Sequence, residues 1–217
     1  MVQCDIKNNI DKFINARKCN THRYASFDIC FYYFQANRKN IATACCIQIS
    51  CLQLWSYLSS WGMLRGSSKL LQKSPAALKP LVEHIAESDV WDIDVDNYTD
   101  ENIEKLLKEY REIEGILNAM DVKPTLTLVT KIMLGVYGNI PAFDTYFTET
   151  FRNESDKSSF RRVNKKSLES IRDFYNRNKS SFDIKIEVID FNNNPTELMY
   201  TKAKLIDMYG FEKGITK

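Results

Sequence analysis

The residues best suited to chemistry lie between positions 130 and 147, where the chain reads Thr-Lys-Ile-Met-Leu-Gly-Val-Tyr-Gly-Asn-Ile-Pro-Ala-Phe-Asp-Thr-Tyr-Phe. An apolar, helix-like pattern runs into Gly-x-x-Gly and Pro-x-x-Asp, and a second helix-like pattern follows. One cation, Lys131, and one carboxylate, Asp144, therefore flank a glycine-rich turn in the most hydrophobic part of the chain. This segment is either a functional centre or a tight corner of the core.

Asp144 and Lys131 each have a structural and a chemical interpretation. An aspartate at the start of a helix caps backbone N–H groups and gains from the helix dipole. In a cleft, the same carboxylate can act in catalysis, which makes Asp144 the candidate catalytic residue. A lysine among apolar neighbours either extends its amine outward or pairs with a carboxylate. The sequence leaves these alternatives open.

A second candidate segment is Arg65-Gly66-Ser67-Ser68-Lys69, which combines two cations, two hydroxyls and a flexible backbone. Such a segment can bind a phosphate or carboxylate through charge and N–H groups. The alternative is a plain loop that leads into a helix cap. If the protein flips a nucleobase, aromatic rings would line its pocket. The candidate ligand-binding residues are Arg65, Ser67, Ser68, Lys69, Lys131, Trp61, Tyr137 and Tyr146.

The elements that must position these residues are mostly helical. Seven glycines and five prolines are few for 217 residues, which disfavours a turn-rich all-β fold. Helical periodicity is strongest at 101–120, and the sequence also predicts a long helix over 41–64 and a last helix from Thr196 to about Gly210. We expect an all-α fold, a single globular domain over 1–217 with eight or more helices. One short extended or β segment is expected near 183–191, and any sub-division of the domain near 88–100.

Cysteine and histidine usage limits the chemistry. The six cysteines all lie in the first quarter of the chain, without a C-x-x-C pair, and there are only two histidines. This pattern disfavours a zinc site, and no cofactor is predicted. Asp92, Asp94 and Asp96 alternate like calcium ligands but lack the glycine and the glutamate of an EF-hand, which favours a solvated acidic loop.

Composition also bears on location and membrane contact. Free thiols and an N-terminus without a secretory pattern predict a cytoplasmic protein. The apolar stretch over 41–64 contains Gln48, Gln53 and several serines, which favours a buried helix over a membrane span. We therefore expect no membrane association. The sequence leaves the oligomeric state open.

Charge is unevenly distributed along the chain. Residues 1–82 carry eleven Lys or Arg against three Asp or Glu, residues 83–121 carry three against thirteen, and residues 152–185 carry ten against five. One interpretation is a polarised surface that attracts nucleic acid or another anionic ligand. The other is that the three blocks neutralise one another in the folded protein.

Pro141-Ala142-Phe143-Asp144, after a glycine-rich turn, resembles the helix–hairpin–helix DNA glycosylases, in which Pro-x-Asp or Pro-x-x-Asp begins a helix. The last block, Lys204 to Gly210, resembles the final helix of distant relatives of that fold, so the resemblance covers the second half of the chain. It implies DNA binding and a catalytic role for Asp144. Gly135-Val136-Tyr137-Gly138 lacks the proline of the family's Pro-Gly-Val-Gly hairpin. Lys131 lies thirteen residues before Asp144, whereas the family's catalytic lysine lies about twenty before.

A second resemblance extends over nearly the whole chain. The blocks around Trp61-Gly62-Met63, Lys131 to Asp144 and Leu205 to Tyr209 are similar to a family of uncharacterised bacterial helical proteins. That family implies no particular activity. The leading hypothesis is a nucleic-acid-binding, distantly glycosylase-like protein, and the alternative is a non-enzymatic domain that binds a protein partner or a small ligand.

Overall fold

The structure, a computed structural model, describes residues 2–19, 21–65, 68–155 and 158–216, with the side chains of residues 2–4 left out. Its described residues form nine α-helices and one β-hairpin. These are α1 Val2–Arg17, α2 Ala25–Ala36, α3 Ile47–Ser60, α4 Lys79–Glu87, α5 Asp100–Ala119, α6 Leu126–Tyr137, α7 Thr145–Glu154, α8 Lys165–Arg177, β1 Glu187–Ile189, β2 Pro195–Met199 and α9 Lys202–Ile215. The predicted all-α fold with one short β segment is confirmed.

One hydrophobic cluster contains buried side chains from every one of these helices. The α6 helix lies deepest, because all ten of its residues from Leu128 to Tyr137 are buried. It packs against α2, α3 and α5, while α9 packs against α1 and α7. Burial of apolar surface on this scale is the main stabilising contribution to a fold of this size.

Polar side chains cap several helices at their N-termini. Thr99 caps α5 by accepting a hydrogen bond from the Asn102 N–H, at 3.1 Å. Thr125 caps α6, and Asp144 caps α7. The α6 helix ends at Gly138, whose φ of +69° is a left-handed conformation that glycine adopts without strain.

The predicted long helix over 41–64 is shorter than expected. Turns occupy 37–46, where the Cys46 N–H donates to the Thr43 carbonyl at 2.9 Å, and α3 begins only at Ile47. The apolar composition of 41–46 therefore reflects a partly buried turn and not a continuation of the helix. Among the described residues, no helix is both long and apolar enough to cross a membrane.

The prediction that Thr196 starts the last helix is wrong. Residues 195–199 form β2, which pairs antiparallel with β1, and α9 begins at Lys202 with Thr201 as its cap. Asp28 anchors this hairpin: its carboxylate accepts hydrogen bonds from the Ile189 N–H at 3.0 Å and the Tyr200 hydroxyl at 2.6 Å. A buried carboxylate from a distant helix leaves no local signal, so periodicity alone did not reveal the strand partner.

The prediction of a solvated acidic loop is wrong for Asp94, whereas Asp92 and Asp96 are exposed as expected. The two oxygens of Asp94 accept hydrogen bonds from the N–H groups of Lys202 and Ala203, at 2.6 and 2.8 Å, at the start of α9. Burial raises the pKa of Asp94 to about 6, even though these N–H groups favour the charged form. The carboxylate stabilises the N-terminus of α9.

The charged blocks of the chain meet in several ion pairs. Lys69 contacts Asp121 at 2.8 Å, Arg38 contacts Asp92 at 2.9 Å, and Lys165 contacts Asp100 at 3.2 Å. Each pair joins a basic block to the acidic one. Part of the charge asymmetry in the sequence is thus neutralised by contacts in the folded protein.

Candidate functional site

A cleft of about 480 Å³ opens where the end of α3, the start of α6, the α6–α7 corner and the C-terminal part of α9 meet. Its volume lies within the range typical of small-molecule sites. The lining combines cations, hydroxyls, rings and one carboxylate: Arg23, Trp61, Gly62, Met63, Arg65, Ser68, Thr125, Thr127, Lys131, Asp144, Thr145, Tyr146 and Phe211.

The Lys131–Asp144 pair forms the floor of the cleft. The Lys131 ammonium donates to Asp144 Oδ2 at 3.2 Å, and the two side chains are 3% and 14% exposed. Asp144 Oδ1 accepts from the Phe147 N–H at 2.9 Å, so the same carboxylate caps α7. Among the described residues, Lys131 Nζ makes no other hydrogen bond, which leaves N–H donors on a side chain that lines the cleft.

Aromatic rings form one wall of the cleft. The Lys131 ammonium lies 4.2 Å from the centroid of the Trp61 ring, and Phe211 meets Trp61 edge-on at 5.5 Å. Tyr146 meets the other side of this wall, 5.4 Å from Phe211, and is 41% exposed. Cation–π contact of this kind stabilises a recessed ammonium beside the rings.

Arg23 extends the wall towards solvent. Its guanidinium lies 5.3 Å from the Trp61 ring centroid and 5.6 Å from that of Tyr24, which stacks on Trp61. Burial, together with the negative charge of Glu212, raises the pKa of Tyr24 to about 12. Tyr24 therefore contributes a neutral ring, and the cationic side chains set the charge of this wall.

Three hydrogen bonds, one from α6 and two from α9 and its N-cap, hold the α6–α7 corner that carries Asp144. Thr130 Oγ1 accepts from the Phe143 N–H at 2.9 Å, and Asp207 Oδ1 accepts from the Ala142 N–H at 3.1 Å. Thr201 Oγ1 donates to the Gly138 carbonyl at 2.6 Å. The corner is thus fixed from α6 and α9 at once, which defines where the Asp144 carboxylate lies.

A second buried pair lies behind the cleft. Lys204 Nζ contacts Asp207 Oδ2 at 2.9 Å, with side-chain exposures of 1% and 3%, and lies 4.3 and 4.5 Å from the ring centroids of Phe13 and Phe27. Burial lowers the pKa of Lys204, while the negative charge of Asp207 opposes this shift. Neither residue lines the cleft.

The structure brings together six of the residues that the sequence suggested: Trp61, Arg65, Ser68, Lys131, Asp144 and Tyr146 all line the cleft. Lys69 does not line it, and its ammonium pairs with Asp121 at 2.8 Å. Tyr137 is buried on another face of α6, where its hydroxyl donates to Glu109 at 2.7 Å. Ser67 lies outside the described residues.

Arg23 and Phe211 line the cleft although sequence reasoning did not single them out. They lie far from Lys131 in sequence, just before α2 and near the end of α9, so no local spacing links them to it. Within the described residues, no group of three or more His, Cys, Asp or Glu side chains is arranged to hold a metal ion.

The geometry combines both outcomes that the sequence left open for Asp144. Both carboxylate oxygens are engaged, as a structural cap would require, yet the residue lines the cleft beside Lys131 and the aromatic wall. Comparison with known proteins adds no family to this picture: no family model, curated protein or solved structure matches the chain.

Proposed function

We propose that this protein binds nucleic acid, with an unstacked nucleobase in the cleft and the adjoining phosphates at its rim. The observation that carries the proposal is the convergence of Arg23, Arg65 and Lys131 with a wall of rings around a single carboxylate. Three cations against one carboxylate favour an anionic ligand, and the rings favour a flat one. A nucleotide unit satisfies both requirements.

The chemistry of each side chain supports this assignment. A guanidinium presents a fork of donors that matches phosphate geometry, and Arg23 and Arg65 are exposed. Bases stack on aromatic side chains without regard to sequence, and Tyr146 offers an accessible ring beside Phe211. The Lys131 ammonium lies deeper, where it can donate to an acceptor on the base.

The glycosylase-like part of the proposal concerns Asp144. In hydrolysis of an N-glycosidic bond, water adds to the sugar C1′ as the bond to the base nitrogen breaks, and the base leaves with a proton. The sugar carries positive charge in the transition state. A fixed carboxylate at that position stabilises this charge, because it requires no reorganisation during the reaction. Lys131 and the Phe147 N–H fix the orientation of Asp144.

Salt-dependent binding tests the proposal. We expect the wild type to bind a labelled oligonucleotide with an affinity that falls steeply as KCl rises, by about 0.7 in log–log slope per contacted phosphate of a single strand. Arg65→Gln should weaken binding roughly tenfold, the effect of losing one charge-assisted contact. Fluorescence anisotropy measures both quantities.

Arg111→Gln is the matched control, because Arg111 is an exposed arginine on α5 that does not line the cleft. It should bind as the wild type does. The proposal is wrong if no DNA or RNA binds, if binding is independent of salt, or if both variants weaken binding equally.

The second candidate is a small anionic ligand with a flat ring, such as a free mononucleotide. The cleft volume of about 480 Å³ and the engagement of both Asp144 oxygens favour it, because neither requires a polymer or a reaction. In a competition assay, a mononucleotide that displaces the oligonucleotide at equal concentration would favour this candidate.

A further inference from the structure

Two further depressions adjoin the cleft, one on each side. The first, which we call the His22 depression, measures about 440 Å³ and is lined by residues that include His22, Arg23, Gln53 and Phe191. The second, the Arg161 depression, measures about 370 Å³ and is lined by residues that include Arg152 and Arg161. Together with the cleft, they give three recesses on one surface.

Shared lining side chains show that each depression adjoins the cleft. Arg23 lines both the cleft and the His22 depression, while Thr127 and Thr145 line both the cleft and the Arg161 depression. The order along the surface is therefore the His22 depression, the cleft and the Arg161 depression. A ligand that extends beyond the cleft would meet a further recess at each of these two borders.

The charge along this path is predominantly positive. The described lining of the His22 depression contains no carboxylate, and that of the Arg161 depression sets two arginines against Glu149. Within the described part of the chain, the guanidinium groups of Arg23, Arg65 and Arg161 make no ion pair. Their charge is available to an anionic partner.

We infer that a single polynucleotide strand runs through all three recesses, with one phosphate held by Arg23 between the cleft and the His22 depression, and another by Arg161. This inference rests on the proposed function of the cleft and adds the path and the class of ligand: a strand of several nucleotides. A free nucleotide would occupy the cleft alone.

The placement of Arg23 supports a strand. Its guanidinium lies at the rim shared by two recesses and contacts the ring wall of one of them. A phosphate between two consecutive nucleotides would meet a cation there while each base enters a recess. Phe191, which is 73% exposed in the His22 depression, offers a ring to the neighbouring base.

The recessed floor of the cleft favours a single strand over a duplex. The Lys131 and Asp144 side chains are only 3% and 14% exposed at the floor of the cleft, so a stacked base pair on the surface would not reach them. An unpaired strand presents bases that turn out of the stack at low cost, whereas a duplex must first break pairing and stacking. The expected ligand is therefore an unpaired stretch of DNA or RNA.

Two matched pairs of variants test the path. Gln53→Glu places a carboxylate in the His22 depression, and Gln48→Glu makes the same change on the same helix outside all three recesses. Arg161→Glu reverses a charge in the Arg161 depression, and Arg177→Glu does so at the exposed end of α8. Thermal unfolding of all four checks that the fold is intact.

Binding is measured by anisotropy against labelled ligands from a mononucleotide to a single-stranded dodecanucleotide. We expect wild-type affinity to rise with length until the strand spans all three recesses. Gln53→Glu and Arg161→Glu should each weaken dodecanucleotide binding about tenfold or more and lower the salt slope by roughly 0.7, while leaving mononucleotide binding close to that of wild type. Gln48→Glu and Arg177→Glu should match the wild type.

Each contrary result has a separate meaning. If the wild type binds the dodecanucleotide but Gln53→Glu and Arg161→Glu behave like their controls, the path is wrong and the proposed function of the cleft stands. If affinity does not rise beyond a dinucleotide, the ligand is smaller than a strand and the inference fails. A duplex that competes as strongly as the single strand overturns the preference for unpaired nucleic acid. No binding by the wild type at all removes both proposals.

Discussion

The protein contains two buried lysine–aspartate pairs, Lys131–Asp144 at the cleft and Lys204–Asp207 in the core. In both pairs the ammonium lies against aromatic rings, and the carboxylate also accepts a backbone N–H: that of Phe147 for Asp144 and that of Ala142 for Asp207. The pairs differ in access. The Lys204–Asp207 pair is sealed, whereas Asp144 is 14% exposed and lines a cleft with Lys131.

This difference shows that a buried ion pair does not by itself mark a functional site. Desolvation of two charges is costly, and a sealed pair repays it only through good geometry and further hydrogen bonds. Lys204–Asp207 meets that condition and ties α9 to the α6–α7 corner. Lys131–Asp144 meets it in part and leaves ammonium donors at a surface that a ligand can reach.

Removal of Asp207 should have the largest effect on stability. Asp207→Ala leaves the Lys204 ammonium buried without its counter-charge and the Ala142 N–H without an acceptor, so we expect the free energy of unfolding to fall by about 3–5 kcal/mol. Urea denaturation followed by circular dichroism measures it. If the loss is below about 1 kcal/mol, the sealed pair does not support the corner as the geometry indicates.

A paired replacement isolates the charge contribution at this site. Lys204→Met with Asp207→Asn removes both charges and keeps a side-chain oxygen that can accept from Ala142. This double variant should recover most of the stability that Asp207→Ala loses, because apolar replacement of a whole buried pair is often close to neutral. A double variant as unstable as the single one would contradict the electrostatic explanation.

Asp144→Asn should have an intermediate effect on stability and a distinct effect on function. Asparagine still caps α7, but the Lys131 ammonium loses its charged acceptor at the floor of the cleft. We therefore expect the free energy of unfolding to fall by about 1–3 kcal/mol. Oligonucleotide binding should be retained or strengthened, because the cleft loses a negative charge. Release of a base from damaged single strands, if the wild type catalyses it in single-turnover assays, should be lost.

The outcomes for Asp144→Asn separate the two pairs. A loss of stability as large as that of Asp207→Ala would mean that access to the cleft makes no energetic difference. Binding weakened as strongly as in Arg65→Gln would mean that Asp144 acts by positioning Lys131 for the ligand. Unchanged base release would remove the catalytic role of Asp144 and leave the binding proposal intact.

The sequence predicted the local part of this site well. The glycine, proline and aspartate between 135 and 144 specify a helix end, a turn and a helix start, and α6 ends at Tyr137 while Asp144 caps α7. These are short-range effects of backbone conformation and capping. They depend on neighbouring residues alone, so a single sequence contains the information.

The parts of the fold and of the site that the sequence did not predict depend on contacts between distant segments. Arg23 and Phe211 come from opposite ends of the chain, and Asp28 anchors a hairpin 161 residues away. Tyr137 is a different case, because helix geometry already argued against it. Six residues separate it from Lys131, and at 3.6 residues per turn the two side chains point roughly 120° apart. One residue of α6 faces the cleft and the other faces Glu109.

The smallest predicted effect concerns a third pair, in which the cationic partner is a histidine. His84 lies 3.1 Å from the Glu109 carboxylate, which also accepts from the Tyr137 hydroxyl. The hydrogen bond to Glu109 is the main cause that raises the pKa of His84 above its usual value, against the effect of burial. The folded protein holds this proton more tightly than the unfolded chain does. Protonation of His84 therefore contributes fully to the free energy of unfolding below the unfolded pKa of about 6.5. This contribution is lost as pH rises through the folded pKa.

His84→Gln keeps a donor for Glu109 and removes the titration. We expect the wild type to gain stability over this variant as pH falls from about 8 to about 6. The change should stay below about 1 kcal/mol, because His84 is 26% exposed and therefore partly screened. Other titrating groups are common to both proteins and cancel in the difference, which urea denaturation at each pH measures. A difference that does not vary with pH would show that protonation of His84 contributes nothing to the stability of the fold.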